Sequence, residues 1–129
     1  MLFDSDIVVW LLRGNEAAVR LAEAERERAI SVVTYMEVLQ GAHDKQELTV
    51  IKDFIRYSAF EILPLTESIG HRAVFYVETY GLKASLGLAD ALIAATAAEH
   101  NLTLCTANRR HYARISDLRL RVVRPQREP

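Results

Sequence analysis

The sequence predicts an α/β fold in which helices cover both faces of a mainly parallel sheet. Short β-like runs alternate along the chain with longer helical stretches, the pattern produced by parallel strands and their crossover helices. The chain has 129 residues, of which 50% are hydrophobic and 26% charged, and this size fits one domain and leaves little room for a second. We therefore expect a single domain over residues 1–129.

Five strands are predicted where short, largely apolar runs are bounded by polar or turn-forming residues. The third of these runs is closed by Pro64, which cannot continue a ladder of hydrogen bonds. The predicted strands cover residues 2–3, 29–31, 61–63, 103–105 and 120–123.

Six helices are predicted between these strands. Gly14 and Gly81 end two of them, and Asn101 ends the last, which is rich in alanine. The second is dense in Ala, Glu and Arg and is expected to be exposed. The predicted helices cover residues 7–12, 16–28, 34–41, 44–57, 66–80 and 90–100.

Charge is distributed unevenly along a chain whose net charge is only −1. Residues 109–129 hold seven arginines and two acids, so this end is basic and residues 1–108 are acidic. Such asymmetry favours a polyanionic partner, with a basic tail over about residues 121–129, although a solvated arginine-rich end explains it equally well.

The lone cysteine, Cys105, lies between apolar neighbours and indicates a buried thiol in a reducing cytoplasm. The first residues lack the basic segment of a secretory signal, and no apolar run has the roughly 18–20 residues that a membrane span needs. We therefore expect a cytoplasmic protein.

Three carboxylates, Asp4, Glu37 and Asp90, lie in apolar stretches that follow predicted strands or begin helices. In open α/β sheets, ligands bind beyond the carboxyl ends of the strands. A buried carboxylate needs a cap, a cationic partner or a metal. If the three converge, their repulsion requires a cation, and all-oxygen ligands favour Mg²⁺ or Mn²⁺, ions that serve phosphodiester hydrolysis.

Each of these acids also has an ordinary structural explanation. Thr34-x-x-Glu37 matches a capping box at the start of a helix. The negative charge of Asp90, near the start of its helix, would interact favourably with the positive end of the helix dipole. Asp4, Ser5 or Asp6 would each serve as the cap of the first helix.

Four motifs occur in an order that resembles the PIN-domain ribonucleases, and within them the VapC-type toxins of toxin–antitoxin pairs. They are Leu2-Phe3-Asp4-Ser5-Asp6, residues 30–41 (ISVVTYMEVLQG), residues 88–97 (LADALIAATA) and residues 104–108 (LCTAN). The resemblance spans essentially the whole chain. It implies a three-layer α/β/α sandwich and a metal-dependent endoribonuclease in which Asp4, Glu37 and Asp90 bind Mg²⁺ or Mn²⁺.

The chain departs from this family at its fourth acidic position. Asn108 stands where relatives often carry an acid, and His111 stands where many carry another. Asn108 would ligate only through its amide oxygen, so we expect one well-occupied metal site per subunit. His111 is interpreted as a surface histidine.

Other site residues are expected to support the three acids or the substrate. Ser5 and Thr106 would donate hydrogen bonds to a carboxylate or phosphate, and Asp6 would act as a helix cap or as an acid behind the ligands. The arginines with phosphate-binding potential are Arg109, Arg110 and Arg114.

The resemblance also implies a homodimer and an antitoxin whose C-terminal segment lies across the active site and whose N-terminal part binds operator DNA. Apolar residues of the fourth and fifth helices offer a surface for such contacts, although core packing explains most of them. These residues are Ile51, Phe54, Ile55, Phe75 and Tyr76.

Two other functions fit parts of the sequence. Asp4-x-Asp6 after a strand resembles the haloacid-dehalogenase phosphatases, but the chain is short for that fold. That function also needs a pair of acids late in the chain, and the apolar stretch of the last predicted helix offers Asp90 alone. A degenerate PIN-like module that binds RNA or a partner without cutting would explain the missing fourth acid, but it has no need for three mutually repelling carboxylates.

Overall fold

The computed structural model describes residues 1–124, so Arg127 and the rest of the predicted basic tail beyond Arg124 lie outside the described residues. The elements within this part of the chain are β1 (Leu2–Phe3), α1 (Ser5–Leu12), α2 (Glu16–Ala24), β2 (Ala29–Ser31), α3 (Val32–Gln40), α4 (Lys45–Tyr57), β3 (Glu61–Leu63), α5 (Glu67–Tyr80), α6 (Leu88–Glu99), β4 (Leu104–Thr106), α7 (Arg109–Tyr112) and β5 (Leu120–Val122).

The described strands form one sheet in the order β3-β2-β1-β4-β5, and every pairing is parallel. The chain builds outward from β1 in one direction through β2 and β3, and in the other through β4 and β5. The strand order therefore reverses between β1 and β4, and α/β proteins of this kind bind ligands beyond the carboxyl ends of the strands at that point.

Successive residues of β1 point to opposite faces of the sheet and divide the core in two. Leu2 belongs to a core packed by α5 and α6, whereas Phe3 belongs to one packed by α1, α2 and α3. Both side chains are fully buried. The predicted three-layer arrangement is confirmed, and Cys105 is buried in the second core as expected.

Helix α3 begins earlier than predicted because Ser31, rather than Thr34, provides the cap. The Ser31 hydroxyl accepts a hydrogen bond from the backbone N–H of Val33 at 3.0 Å. Thr34 lies inside the helix and is buried. The proposed capping box of Thr34 and Glu37 is therefore wrong, and Glu37 lies in mid-helix, where it serves no cap.

Other element boundaries differ by a few residues. Helix α2 ends at Ala24, since Glu25 has an extended backbone, and α6 begins at Leu88 with Gly87 at its cap position. Asn101 follows α6 with a φ of 54°, the left-handed conformation expected of a residue that ends a helix. Helix α7, of four residues, was not predicted.

The apolar residues of α4 and α5 separate into core and surface. Ile55 and Tyr76 are buried, Ile51 and Phe54 are half-buried, and Phe75 is exposed. Core packing thus explains the first two, as the more conservative interpretation predicted. Within residues 1–124, no helix has the length and apolar character to span a bilayer.

Candidate active site

Asp4 occupies the first position after β1 and caps α1. Its Oδ1 accepts a hydrogen bond from the backbone N–H of Ser5 at 2.8 Å, and its Oδ2 accepts one from the Thr106 hydroxyl at 2.8 Å. The residue is only 6% exposed. Burial raises the pKa of Asp4 from 3.8 to about 6, the charge of Asp6 adds to the rise, and the donors oppose it.

Asp6 lies in the first turn of α1 and ties that helix to the end of β4. Its Oδ2 accepts a hydrogen bond from the backbone N–H of Ala107 at 3.0 Å, and its Oδ1 accepts one from Ile7 at 2.7 Å. Burial raises the pKa of Asp6, and the charge of Asp90 contributes to the rise. Asp6 therefore lies within electrostatic reach of two other acids.

Glu37 reaches this group of acids through Ser5. The Ser5 hydroxyl lies 2.7 Å from Oε1 of Glu37 and 3.3 Å from the Thr34 hydroxyl. Because the Ser5 backbone holds Asp4 while its side chain holds Glu37, one residue joins the carboxylates that follow β1 and β2. The carboxylate of Glu37 is exposed.

Asp90 lies in the first turn of α6 and is held from two sides by α7. The Tyr112 hydroxyl donates to Oδ1 at 3.1 Å, and Nδ1 of His111 lies 2.7 Å from Oδ2. Tyr112 is fully buried and also interacts with Asp4. Burial, followed by the charges of Asp4 and Asp90, raises the pKa of Tyr112 far above its ordinary value, so its hydroxyl remains a donor.

Tyr112 is a site residue that the sequence analysis missed. The sequence signal for Tyr112 is that it is a single aromatic residue next to two arginines and a histidine, and it is the buried residue of α7. His111, interpreted from the sequence as a surface residue, is partly exposed but directed at Asp90.

The segment after β4 brings further predicted residues to the same place. The Thr106 hydroxyl accepts a hydrogen bond from the backbone N–H of Asn108 at 3.0 Å, and the Asn108 side chain faces Nδ1 of His111 at 3.1 Å. Arg109 and Arg110 begin α7, Arg114 follows it, and all three are exposed.

The chemistry of these donors fits a hard divalent cation, since they are carboxylate oxygens at a place where burial and then neighbouring negative charge raise the pKa of Asp4 and Asp6. Across residues 1–124, however, no three His, Cys, Asp or Glu side chains are gathered tightly enough to enclose an ion as they stand. The Ser5 hydroxyl donates to Glu37, and the His111 ring contacts Asp90 instead. Closing the carboxylates on one ion therefore requires small movements of these side chains.

Comparison with known proteins identifies what this arrangement is similar to. The sequence model of the PIN domain family matches residues 1–118. Ribonuclease VapC10 of Mycobacterium tuberculosis is 33% identical over 123 residues, which is 92% of this chain and 90% of that protein.

Solved structures give the same result for the fold. A toxin–antitoxin complex from Klebsiella pneumoniae contains a chain with 34% identity and a TM-score of 0.76 over 97% of both chains. VapBC2 from Rickettsia felis, bound to a DNA fragment from its promoter, gives 24% identity and a TM-score of 0.78 over 95% of this chain and 98% of that one. DNA-bound VapBC from Salmonella typhimurium gives 23% identity and a TM-score of 0.79 over 94% of this chain and 96% of that one. The last two likenesses establish the fold alone.

Proposed function

This chain belongs to the PIN domain family, and on that premise we propose that it cleaves RNA with a divalent cation, Mg²⁺ or Mn²⁺, bound by Asp4, Glu37 and Asp90. It is an endoribonuclease of the VapC type, the toxin of a toxin–antitoxin system. The observation that supports the metal and the residues most strongly is a chain of neighbouring acids at the switch point of the sheet, in which Asp6 interacts with both Asp4 and Asp90 and Ser5 bonds to both Asp4 and Glu37.

A cation bound by these carboxylates would lower the pKa of an attacking water and stabilise the charge that develops on the phosphate. The remaining groups prepare the ligands. Thr106 and Tyr112 hold Asp4 and Asp90 by hydrogen bonds, Ser5 orients Glu37 through its Oε1, and Asp6 holds the backbone of Ala107. Asn108 adds an amide oxygen at most, which supports one well-occupied metal site per subunit.

Arginines beside the acids would bind the RNA backbone. Arg109 and Arg110 are exposed on α7, whose other residues contact Asp90, and Arg114 is exposed just after it. Arginine forms paired hydrogen bonds with phosphate oxygens, so these side chains would orient the scissile phosphate toward the carboxylates without reading its sequence.

The partners follow from the family. The antitoxin is the inhibitor, and we expect operator DNA to be bound only through it; the similar complexes from Rickettsia felis and Salmonella typhimurium are bound to DNA. We expect a homodimer in the cytoplasm. Exposed apolar side chains on and after α5, at Val74, Phe75 and Leu82, are the surface that a second copy would cover, and sedimentation of the purified toxin measures the subunit number.

A non-catalytic module remains a second candidate because Asn108 and His111 replace carboxylates at one corner of the site. Thermal unfolding separates the two functions. A catalytic site binds Mg²⁺ or Mn²⁺ only in the folded state, so either ion raises the melting temperature of the wild type by mass action and fails to raise that of Asp90→Asn. The module predicts no shift in either protein. A phosphatase of the haloacid-dehalogenase kind is not supported by the family match.

A further inference from the structure

Three donor atoms converge beside α7 in a way that the three-carboxylate proposal does not use. Nδ1 of His111 lies 2.7 Å from Oδ2 of Asp90 and 3.1 Å from the side-chain amide of Asn108. The side chains of His111 and Asp90 are 39% and 23% exposed, so ions and water reach this corner.

When the amide nitrogen of Asn108 faces it, a single ring nitrogen does not satisfy both neighbours at once. If Nδ1 carries a proton, it donates to Asp90 and has nothing to accept from the Asn108 amide N–H. If Nδ1 carries a lone pair, it accepts a hydrogen bond from Asn108, but the lone pair then points at the carboxylate oxygen of Asp90, which is also an acceptor. The nitrogen and oxygen of an Asn amide are interchangeable by rotation, so Asn108 can equally direct its oxygen at this point, and a protonated Nδ1 then donates to both neighbours.

A cation would take the place of that proton, because it accepts all three groups through their lone pairs. Around a six-coordinate ion with bonds of about 2.1 Å, adjacent ligand atoms lie about 3 Å apart. The two observed separations, 2.7 and 3.1 Å, lie on either side of that spacing. His111 Nδ1 thus lies at the spacing of a neighbouring ligand both from Asp90 Oδ2 and from the side-chain amide of Asn108.

We infer that His111 is a nitrogen ligand of the cation that Asp90 binds, and that it makes the site prefer Mn²⁺ to Mg²⁺. This extends the proposed function, on which it rests, by assigning a ligand and a metal preference. Imidazole suits first-row transition ions, whereas Mg²⁺ binds through oxygen and retains its waters. Among transition ions, Mn²⁺ is the one that carboxylate and amide oxygens also suit.

Pulsed electron paramagnetic resonance of Mn²⁺ bound to the full-length chain tests the ligand directly. A directly bonded imidazole nitrogen modulates the spin echo, and growth on nitrogen-15 histidine alters that modulation. We expect the signal in the wild type and its loss in His111→Gln. His71→Gln is the matched control, since His71 is exposed on α5 beside Glu67 and should leave the signal intact.

Calorimetric titration with Mn²⁺ and with Mg²⁺ tests the preference. His111→Gln should weaken Mn²⁺ binding about tenfold or more, the size of effect seen when groups around a metal are lost, and should change Mg²⁺ binding far less. His111→Asp, which substitutes an oxygen donor, should bring the two affinities closer together. Circular dichroism verifies that each variant is folded.

The outcomes also separate this inference from the proposed function. If Mn²⁺ binding is abolished by Asp90→Asn but shows no nitrogen modulation in the wild type, His111 is only an ion-pair partner of Asp90 and the inference is overturned while the metal-dependent nuclease stands. If neither Mn²⁺ nor Mg²⁺ binds the wild type, both fall.

Discussion

The hydroxyl of Thr106 lies 2.8 Å from Oδ2 of Asp4 and joins the ends of two adjacent strands that are 102 residues apart in the chain. Both residues are buried, and Thr106 is fully so. The same hydroxyl accepts a hydrogen bond from the backbone N–H of Asn108 and lies 3.4 Å from Oδ2 of Asp6. One small side chain therefore fixes the positions of two acids and of the segment that leads into α7.

Replacing Thr106 with valine keeps the shape of the side chain and removes this donor. A buried acceptor left unsatisfied costs about 1–3 kcal/mol, so we expect Thr106→Val to lower the free energy of unfolding by that amount at pH 8. Urea denaturation measures it. Thr106→Ser retains the hydroxyl and serves as the control. An equal loss in both variants would show that packing of the methyl group, not the hydrogen bond, is responsible.

The raised pKa of Asp4 predicts how stability depends on pH in the presence of a chelator. The folded protein holds a proton on Asp4 up to about pH 6, whereas the unfolded chain releases it near 3.8. The folded state thus binds more protons between these values, and stability falls as pH rises through that window. The difference corresponds to about 3 kcal/mol lost by pH 8.

Urea unfolding in EDTA between pH 4.5 and 8 measures this slope. Asp4→Asn removes the titrating group and should flatten most of the curve, and Mg²⁺ or Mn²⁺ should restore stability to the wild type at pH 8. A wild type whose stability rises with pH in EDTA would contradict the assignment of the raised pKa to Asp4.

Ser5→Ala should weaken metal binding without unfolding the protein. The substitution removes the hydroxyl that orients Glu37 but keeps the backbone N–H that binds Asp4. Loss of a group that orients a metal ligand typically costs 10–100-fold in affinity, and we expect a change within about that range by calorimetry. Ser116→Ala, on an exposed turn before β5, is the control. Unchanged affinity in Ser5→Ala would mean that Glu37 binds the ion without help from Ser5.

The sequence predicts the strands well because each is a short apolar run next to a turn residue or a proline. Leu2–Phe3, Ala29–Ser31 and Glu61–Leu63 were placed without error, and Leu104–Thr106 within one residue. The carboxyl ends of these strands then indicate Asp4 and Thr106 without further information, because parallel strands end at the same edge.

What the sequence does not predict depends on contacts between distant segments. Ser31 and Thr34 both match a helix cap, and the choice between them was made by where β2 ends. The contacts of Tyr112 and His111 with Asp90 join α7 to α6 across 21 or 22 residues, and no local pattern encodes that pairing. For the same reason, His111 was interpreted from the sequence as a surface residue.

Cleavage of total cellular RNA by the purified, antitoxin-free protein tests the central claim most directly. The wild type and Asp90→Asn are compared in Mg²⁺, in Mn²⁺ and in EDTA, with Asp53→Asn, a change of an exposed carboxylate on α4, as the matched control. We expect discrete fragments from the wild type and from Asp53→Asn with either metal, none in EDTA, and none from a normally folded Asp90→Asn. Undiminished cutting by Asp90→Asn, or by the wild type in EDTA, would contradict it.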